Sequence, residues 1–236
     1  MSSQKVALVT GGNRGLGHET CRQLASRGFQ VLLASRDPAS GMRAVNDIGL
    51  DNIEAVKLDV CSPDDIRNVA EYVADQYGYL DVLINNAGVL MDAKLGDPAS
   101  IKDADIDIVM ETFRINTAAP IALINALLPL MEQVQDARII NISSGMGQLS
   151  DMGTQYPGYR ISKTALNSMT AIYAAELDAE KFSINAVCPG WVRTDMGTEN
   201  AGLTVEQGVD TTIWLATAEE ARVTGGYYRD RKLLPW

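Results

Sequence analysis

The stretch LVTGGNRGLG, residues 8–17, lies almost at the start of the chain, and it decides how the following segments are interpreted. It follows an apolar, β-branched run at 6–10 and leads into a segment with helical periodicity from Leu16 onward. Glycine lets a backbone approach a phosphate closely, and the first turn of a helix directs free N–H groups and a positive dipole end at an anion. A loose glycine-rich loop is the alternative, but the strand–turn–helix context favours a phosphate-binding turn.

Beyond this turn, short apolar runs alternate with longer amphipathic segments along the whole chain. Strands are predicted at 6–10, 31–34, 55–58, 82–85, 138–143, 184–188 and near 227–228. Helices are predicted at 16–27, 40–49, 64–77, 102–131, 157–180 and 205–217. Runs such as DVLIN and RIINIS are almost continuously apolar, as expected of parallel strands that helices cover on both faces. The pattern predicts an α/β fold, a single domain over 1–236 with a Rossmann-type doubly wound sheet of about seven parallel strands.

Composition and charge disfavour several classes of protein. The chain has 236 residues, 46% of them hydrophobic, which is enough for a sizeable core. Cys21, Cys61 and Cys188 are odd in number and widely spaced, which favours free thiols in a reducing compartment. The most apolar helix-length stretch, 118–131, is short and contains prolines, so we expect a soluble, cytoplasmic protein with no membrane partner. The net charge of −10 disfavours nucleic-acid binding, and a lone histidine, His18, without a His/Cys cluster predicts no metal site.

The chemistry centres on Tyr159 and Lys163, which stand four positions apart in a predicted helix and therefore share one face. A phenol with an ordinary pKa of about 10 is a poor acid or base at neutral pH, and a neighbouring ammonium is expected to lower that pKa. An isolated Y-x-x-x-K is more often an exposed polar pair, but Ser144 stands at a strand end, where doubly wound sheets bind ligands. Tyr156 is followed four positions later by Arg160 rather than a lysine, so we do not predict it as the acid.

Further motifs follow the glycine turn in a fixed order. The glycines at 11, 15 and 17 fit T-G-x-x-x-G-x-G, NNAG stands at 85–88, and Asn116 lies within the long helical segment. The pair SS at 143–144, Y-x-x-x-K at 159–163 and PG with a threonine at 189–194 come next. Each motif is weak alone, but together, over nearly the whole chain, the sequence resembles the short-chain dehydrogenase/reductase family. The stretches CPGWVRTDMG and YYRDRKLLPW look similar to carbonyl reductases of that family.

The resemblance implies a catalytic group of Asn116, Ser144, Tyr159 and Lys163. Tyr159 would donate the proton in carbonyl reduction and accept it in alcohol oxidation, while Lys163 would hold the nicotinamide ribose. Ser144 would bind the carbonyl oxygen, with Ser143 as its structural neighbour. Asn116 would position a helix and a water molecule in a proton relay.

The choice of cofactor depends on the end of the second strand. Family members that prefer NAD carry an acid there, whereas this chain has Ser35 followed by Arg36. An arginine pairs with the 2′-phosphate that a carboxylate would repel, and Arg14 in the glycine turn can approach the same phosphate. The sequence therefore predicts NADP(H). Asp37 leaves an alternative, because an alignment shift of one residue would put it in the acid's place.

Two larger sets complete the site that the resemblance implies. The cofactor would contact Gly11, Asn13, Arg14, Gly15, Leu16, Gly17, Ser35, Arg36, Asp59, Val60, Asn86, Ala87, Gly88, Tyr159, Lys163, Pro189, Gly190, Val192 and Thr194. The substrate would contact Ser144, Gly145, Met146, Gln148, Tyr156, Trp191 and Met196. The second set is mainly apolar and lacks a lysine or arginine, so we expect a small, neutral carbonyl or alcohol substrate. The segment 194–202 is expected to form a mobile lid over it.

The function predicted is NADPH-dependent reduction of ketones or aldehydes to alcohols. A 3-oxoacyl-carrier-protein reductase is an alternative, although the charge of −10 does not suit an acidic carrier. A non-catalytic NADP-sensing protein is a second alternative, although Tyr159 and Lys163 are both retained. Animal carbonyl reductases carry a long insertion between the catalytic serine and tyrosine, which is associated with a monomer. Ser144 and Tyr159 are only 15 positions apart, so we expect a homodimer or homotetramer that pairs through 102–131 and 157–180.

Overall fold

The computed structural model describes residues 4–92 and 100–236. The strands are β1 (Val6–Thr10), β2 (Gln30–Ser35), β3 (Ile53–Lys57), β4 (Val82–Asn85), β5 (Ala137–Ile142), β6 (Phe182–Val187), β7 (Gly226–Arg229) and β8 (Lys232–Leu234). They form one eight-stranded sheet in the order β3-β2-β1-β4-β5-β6-β7-β8. The first seven strands run parallel, which confirms the predicted doubly wound α/β fold. The expectation of a single domain stays a prediction.

The helices connect these strands and cover both faces of the sheet. They are α1 (Gly15–Ala25), α2 (Pro38–Ile48), α3 (Pro63–Gln76), α4 (Ile106–Phe113), α5 (Ala119–Met131), α6 (Pro157–Glu176) and α7 (Val205–Thr217). Side chains of a strand alternate between faces, so Leu8 packs in one core with Leu123, and Val9 packs in another with Leu24 and Ile213. Burial on both faces explains why the central strands are apolar throughout.

The eighth strand was not predicted from the sequence. It runs antiparallel to β7, with Arg229 paired to Lys232, and a two-residue turn of Asp230 and Arg231 joins the strands. Both turn residues have left-handed backbones, with φ of 51° and 58°, which is the geometry that a tight hairpin needs. Because that turn usually carries asparagine or glycine, a pair of charged residues gave no hairpin signal.

The long helical prediction at 102–131 is wrong in its detail. A short 3₁₀ turn at Ile101–Asp103 comes first, and α4 begins only at Ile106 because the Asp105 side chain accepts hydrogen bonds from the backbone N of Asp107 and of Ile108. A π-helical turn, Arg114–Ala118, then joins α4 to α5. The prediction at 157–180 is also too long, since α6 ends at Glu176.

The helical region Ile106–Met131 is longer than the apolar stretch at 118–131 that the sequence analysis considered. Its 26 residues include an 18-residue window with a mean hydropathy of 1.3, so the region is long and apolar enough to cross a membrane by length and composition alone. Core helices pass the same test, and Leu123, Ile124 and Leu127 of this region are fully buried against the sheet. We therefore describe it as a core helix.

The parallel strands bring the predicted site residues to one edge of the sheet. Strands β1, β4, β5 and β6 end at Thr10, Asn85, Ile142 and Val187, and they are neighbours in the sheet. The glycine turn, the NNAG segment, the serine pair and the PG segment follow these four ends directly. Ligands of doubly wound sheets bind at this carboxyl edge.

Candidate active site

The glycine turn between β1 and α1 is tightly closed. Gly11 and Gly15 have left-handed φ values of 63° and 54°, which favour glycine. A Cβ on Gly17 would lie 2.3 Å from the carbonyl oxygen of Gly11, so only glycine fits there. Helix α1 begins at Gly15, one residue before the predicted Leu16. Within the described part of the chain, the Arg14 side chain does not cap this helix, so its first N–H groups are available to an external anion.

The NNAG segment is bound to this turn through a threonine that the sequence analysis did not select. Asn86 Nδ2 donates to the carbonyl oxygens of Thr10 and Gly11, at 2.8 and 3.2 Å. Thr10 Oγ1 in turn accepts from the backbone N of Asn86 and of Ala87, both at 2.9 Å. The one feature of the sequence that could have indicated this contact was the threonine of the T-G pair, Thr10. These contacts hold the two predicted cofactor segments side by side.

The end of β2 has the arrangement that the alignment on Ser35 requires. Ser35 is buried and donates to the carbonyl oxygen of Asp37 at 3.0 Å, while Arg36 is exposed. The Asp37 carboxylate caps α2, accepting from the backbone N of Ala39 and of Ser40 at 3.2 and 3.1 Å. Hydrogen bonds from Ser40 and Ala39 lower the pKa of Asp37. Asp37 is thus engaged in capping, which supports Ser35 at the acid's place.

Asp59 and Val60 follow β3 on the same edge. The Asp59 carboxylate accepts from the backbone N of Cys61 at 2.9 Å, and its own backbone N donates to the Asp65 carboxylate at 2.9 Å. These bonds fix the turn before α3 and leave Val60 half-buried. The structure therefore holds Asp59 and Val60, two of the predicted cofactor residues, in a defined turn.

The segment after β6 crosses the glycine turn. A Cβ on Gly15 would lie 3.2 Å from Thr194 Cγ2, and Val192 is buried and forms a bridge with Leu203. Arg14 Nη1 donates to Asp195 Oδ2 at 2.6 Å, with both side chains 74% exposed. This ion pair was not predicted, and it ties the proposed phosphate-binding arginine to the segment expected to act as a lid.

Four motifs meet around Lys163. Its Nζ donates to the carbonyl oxygen of Ile142 at 2.7 Å and lies 5.7 Å from the ring centroid of Tyr159. A Cβ on Gly88 would lie 3.2 Å from Asn116 Oδ1 and 3.4 Å from Lys163 Nζ. Asn116 lies in the π-helical turn, where its side chain accepts from Val89 N and donates to Val89 O, both at 2.8 Å. Residues far apart in the sequence therefore form one buried cluster.

The two serines of the pair have different surroundings. Ser143 is buried, and its Oγ donates to Asn167 Oδ1 at 2.6 Å, which is a structural contact. Ser144 is half-buried, its Oγ accepts from the backbone N of Met146 at 3.2 Å, and its hydroxyl acts to lower the pKa of Tyr159. The hydroxyl of Ser144 is thus the one beside the phenol of Tyr159.

The Tyr159 pKa is raised and not lowered as expected, because burial of the phenol outweighs stabilisation of the phenolate by Lys163. Burial raises the pKa of Tyr159 to about 12, and the hydrogen bond from Ser144 only partly offsets that effect. Burial also lowers the pKa of Lys163 to about 8. The Lys163 ammonium points to the Ile142 carbonyl, so desolvation dominates both groups. At neutral pH the phenol therefore carries its proton and can donate it.

The predicted substrate residues differ in their exposure. Met146 and Tyr156 are half-buried, while Trp191 and Met196 are 58% and 43% exposed. Arg229 was not predicted to be near this group. A Cβ on Gly190 would lie 3.6 Å from its guanidinium Nη2, so one cation does border the mainly apolar face.

The carboxyl edge of the sheet, the glycine turn and the Ser144–Tyr159–Lys163 cluster define a class, an α/β protein with a glycine turn and a buried tyrosine–lysine pair at the same edge. A sequence model of the short chain dehydrogenase family matches residues 5–202. The chain belongs to that family, and it is an oxidoreductase that acts on alcohol or carbonyl groups.

Relatives and solved structures agree with this assignment over almost the full length. A (+)-neomenthol dehydrogenase from Arabidopsis thaliana is 31% identical over 97% of this chain and 96% of its own length. A carbonyl reductase (NADPH) 3 from Rattus norvegicus is 29% identical over 100% and 99%. The structure of an NADPH-bound carbonyl reductase from chicken fatty liver superposes with a TM-score of 0.87, at 28% identity and 99% coverage of each chain.

Proposed function

We propose that this protein reduces ketones or aldehydes to alcohols with NADPH and that Tyr159 supplies the proton. The observation that carries the proposal is the buried side chain of Tyr159, with Lys163 Nζ 5.7 Å from its ring centroid. A hydride donor and a proton donor are both needed to reduce a carbonyl, and this cluster provides the proton donor. NADPH, when bound, supplies the hydride to the carbonyl carbon.

The residues divide the proton chemistry between them. The hydroxyls of Ser144 and Tyr159 bind the carbonyl oxygen, whose negative charge grows as the hydride arrives. The proton passes from Tyr159 Oη to that oxygen and leaves a phenolate. Lys163 Nζ, 5.7 Å from the ring centroid, stabilises the phenolate as it forms. Asn116 holds Val89 and Ser162 in place around this cluster.

The protonation state of Tyr159 suits its proposed role as an acid. A phenol with a pKa of about 12 is almost fully protonated at neutral pH, so it is ready to donate its proton. Alcohol oxidation instead starts from the phenolate, which costs free energy to form in this buried place. Near neutral pH, Tyr159 is therefore in the form that carbonyl reduction uses.

The chain's own residues fit NADP(H). The glycine turn leaves no room for a Cβ at Gly17, and it exposes the first N–H groups of α1 to a pyrophosphate. Arg36 is exposed after the buried Ser35, where it would pair with a 2′-phosphate, and Arg14 would approach from the glycine turn. Several relatives are named as NADPH enzymes, which supports the same choice.

We propose a neutral carbonyl compound as the substrate. Trp191 and Met196 present apolar surface beside the site, and the relatives include reductases of carbonyl compounds and a menthol-type dehydrogenase. No nucleic acid or membrane is proposed as a partner. The three free cysteines of the described chain agree with a reducing, cytoplasmic location.

A homodimer or homotetramer is proposed from the outer faces of α4 and α6. Ile106 and Met110 of α4 are 68% and 61% exposed, and Ile161 and Ile172 of α6 are 44% and 53% exposed. The two helices pack against each other, so these apolar side chains form neighbouring surfaces. Light scattering checks this: a species larger than the 25.5 kDa chain is expected, and a clean monomer would reject it.

The experiment for the proposed function measures initial rates of NADPH and NADH oxidation with a panel of neutral ketones, aldehydes and 2-keto acids. We expect turnover with NADPH and neutral carbonyls, and slower turnover with NADH. A preference for 2-keto acids would point to Arg229 as part of the substrate site and contradict the neutral class. The absence of turnover with every carbonyl tested would contradict the proposal.

A further inference from the structure

A carboxylate binds the backbone of the proposed acid itself. Asp92 is 2% exposed, and its Oδ2 accepts a hydrogen bond from the backbone N of Tyr159 at 2.9 Å. The two residues are 67 positions apart in the sequence. The proton transfer described for Tyr159 does not use this contact, and the sequence analysis did not select Asp92.

The start of α6 explains why such a carboxylate is needed. The first N–H groups of an α-helix have no partner within the helix. Pro157 has no N–H, and Arg160 N donates to the carbonyl oxygen of Tyr156 at 2.9 Å, so the Tyr159 N–H is one of the free groups. Within the described chain, the side chain of Tyr156 makes no capping bond. Asp92 therefore does from a distant segment what an N-cap side chain usually does locally.

Gly158 gives the carboxylate its room. A Cβ on Gly158 would lie 3.0 Å from Asp92 Oδ1 and 3.2 Å from Val109 Cα. Any larger residue at this position would press on the carboxylate and on α4 together. In the run Pro157–Gly158–Tyr159, the proline has no N–H to donate and the glycine has no side chain to clash with the carboxylate. The tyrosine supplies the N–H that the carboxylate binds.

The backbone before α6 makes this anchor more important. Gln155 and Tyr156 both have left-handed backbones, with φ of 64° and 53°, which side chains other than glycine seldom adopt. Such strain persists only where the surroundings fix it. Asp92 fixes the helix side of this turn, while Arg160 Nε binds the carbonyl oxygens of Thr154 and Gln155 on the other side.

We propose that Asp92 is a positioning residue, whose bond to the Tyr159 backbone sets the position of the phenol relative to the Ser144 hydroxyl. This inference rests on the proposed role of Tyr159 as the acid. A hydrogen bond to a carboxylate is stronger than one to a neutral acceptor, and a negative charge at a helix N-terminus is stabilised by the helix dipole. Asp92 lies three residues after Val89, which Asn116 binds, so the segment after β4 is tied to the cluster at two points.

The test compares Asp92→Ala with Asp92→Asn, which keeps an acceptor oxygen. Asp92→Ala is expected to lower kcat about 100-fold, since a misplacement of about 1 Å has an effect of that size. The NADPH Kd and the KM for the ketone are expected to change little. Asp92→Asn is expected to recover most of the lost kcat. A merely structural role would lower thermal stability without this split between kcat and KM or this recovery.

Asp105→Ala is the matched control, because Asp105 also caps a helix with its carboxylate but binds no residue of the cluster. It is expected to lower the melting temperature and to leave kcat unchanged. If Asp92→Ala does not fold, Gly158→Ala serves instead, since its Cβ would displace the same carboxylate. A kcat for the Asp92 or Gly158 variants equal to that of Asp105→Ala would overturn the inference, and so would an Asp92→Asn variant no better than Asp92→Ala. Full activity of Tyr159→Phe would instead overturn the proposed function on which it rests.

Discussion

Helices α1 and α6 both begin at the ligand-binding edge of the sheet, but their first turns are completed differently. The first turn of α1 follows Gly11 and Gly12, contains Gly15 and Gly17, and among the described residues has neither an acidic residue nor a side-chain N-cap. The first turn of α6 is bound from within by the buried Asp92 carboxylate. We call the first turn of α1 the open end, because we propose that it binds an external anion. We call the first turn of α6 the closed end, because we propose that its bond to Asp92 holds Tyr159 in place.

The largest expected effect comes from closing the open helix end. Gly17→Ala places a Cβ 2.3 Å from the Gly11 carbonyl oxygen, so the turn must deform. We expect the NADPH Kd to rise about 100-fold, measured by the quenching of protein fluorescence. Gly202→Ala is the control, because a Cβ there meets no described atom within 4 Å. A Gly17→Ala protein that binds NADPH as tightly as the wild type does would contradict the proposed phosphate-binding role of the glycine turn.

The next effect concerns the selectivity of the open end. Arg36→Asp replaces a cation with an anion at the place proposed for the 2′-phosphate. A charge-assisted hydrogen bond contributes about 1.5–3 kcal/mol, so the ratio of kcat/KM for NADPH over NADH should fall about 10- to 100-fold. Arg27→Asp makes the same charge change at the far end of α1, where Arg27 binds the Gln23 carbonyl, and should leave the ratio unchanged. If the ratio of kcat/KM for NADPH over NADH were the same in both variants, Arg36 would not be part of the 2′-phosphate site.

The Tyr159–Lys163 pair at the closed end leads us to expect that the rate of reduction depends on pH. The Lys163 pKa of about 8 means that this side chain loses its charge as the pH rises through 8, and with it the stabilisation of the phenolate. We expect kcat/KM for reduction to be flat below that pH and to fall about tenfold per pH unit well above it. Lys163→Arg keeps the charge and should shift the fall to higher pH. A wild-type profile that stays flat to pH 10 would contradict the role of Lys163.

The smallest effect concerns the contact between Arg14 and the proposed lid. Asp195→Asn removes an exposed ion pair, and such pairs contribute about 0.2–1 kcal/mol. Because Arg14 is then free for the 2′-phosphate, NADPH should bind up to about fivefold more tightly, while NADH binding stays the same. Isothermal titration of both cofactors checks this. Weaker NADPH binding would mean that the lid contact supports the cofactor site instead of competing with it.

The open end could be predicted from the sequence, and the closed end could not. The glycines, the helix and the strand before them are adjacent in the chain, so local conformational rules identify the turn. The Asp92–Tyr159 and Arg14–Asp195 contacts join residues 67 and 181 positions apart, and only the folded sheet brings them together. The same holds for the Tyr159 pKa, because spacing revealed the neighbouring lysine but not the extent of burial that outweighs it.

The fold shows the same division between local and non-local signals. The parallel strands were predicted because each is a continuous apolar run, whereas β8 depends on pairing with β7 and has little apolar pattern of its own. The break at Arg114–Ala118 was missed because a π-helical turn keeps the helical periodicity almost intact. That turn holds Asn116, so the detail that escaped prediction belongs to the site.

The most direct test of the central claim is a single-turnover measurement of NADPH oxidation with a neutral ketone, comparing Tyr159→Phe with Tyr156→Phe. Both variants remove one hydroxyl, from the proposed acid and from its half-buried neighbour. General acid catalysis contributes about 10²- to 10⁴-fold, so Tyr159→Phe should lose that much in rate while Tyr156→Phe stays within a few-fold of the wild type. A Tyr159→Phe protein that reduces the ketone at the wild-type rate would contradict the account.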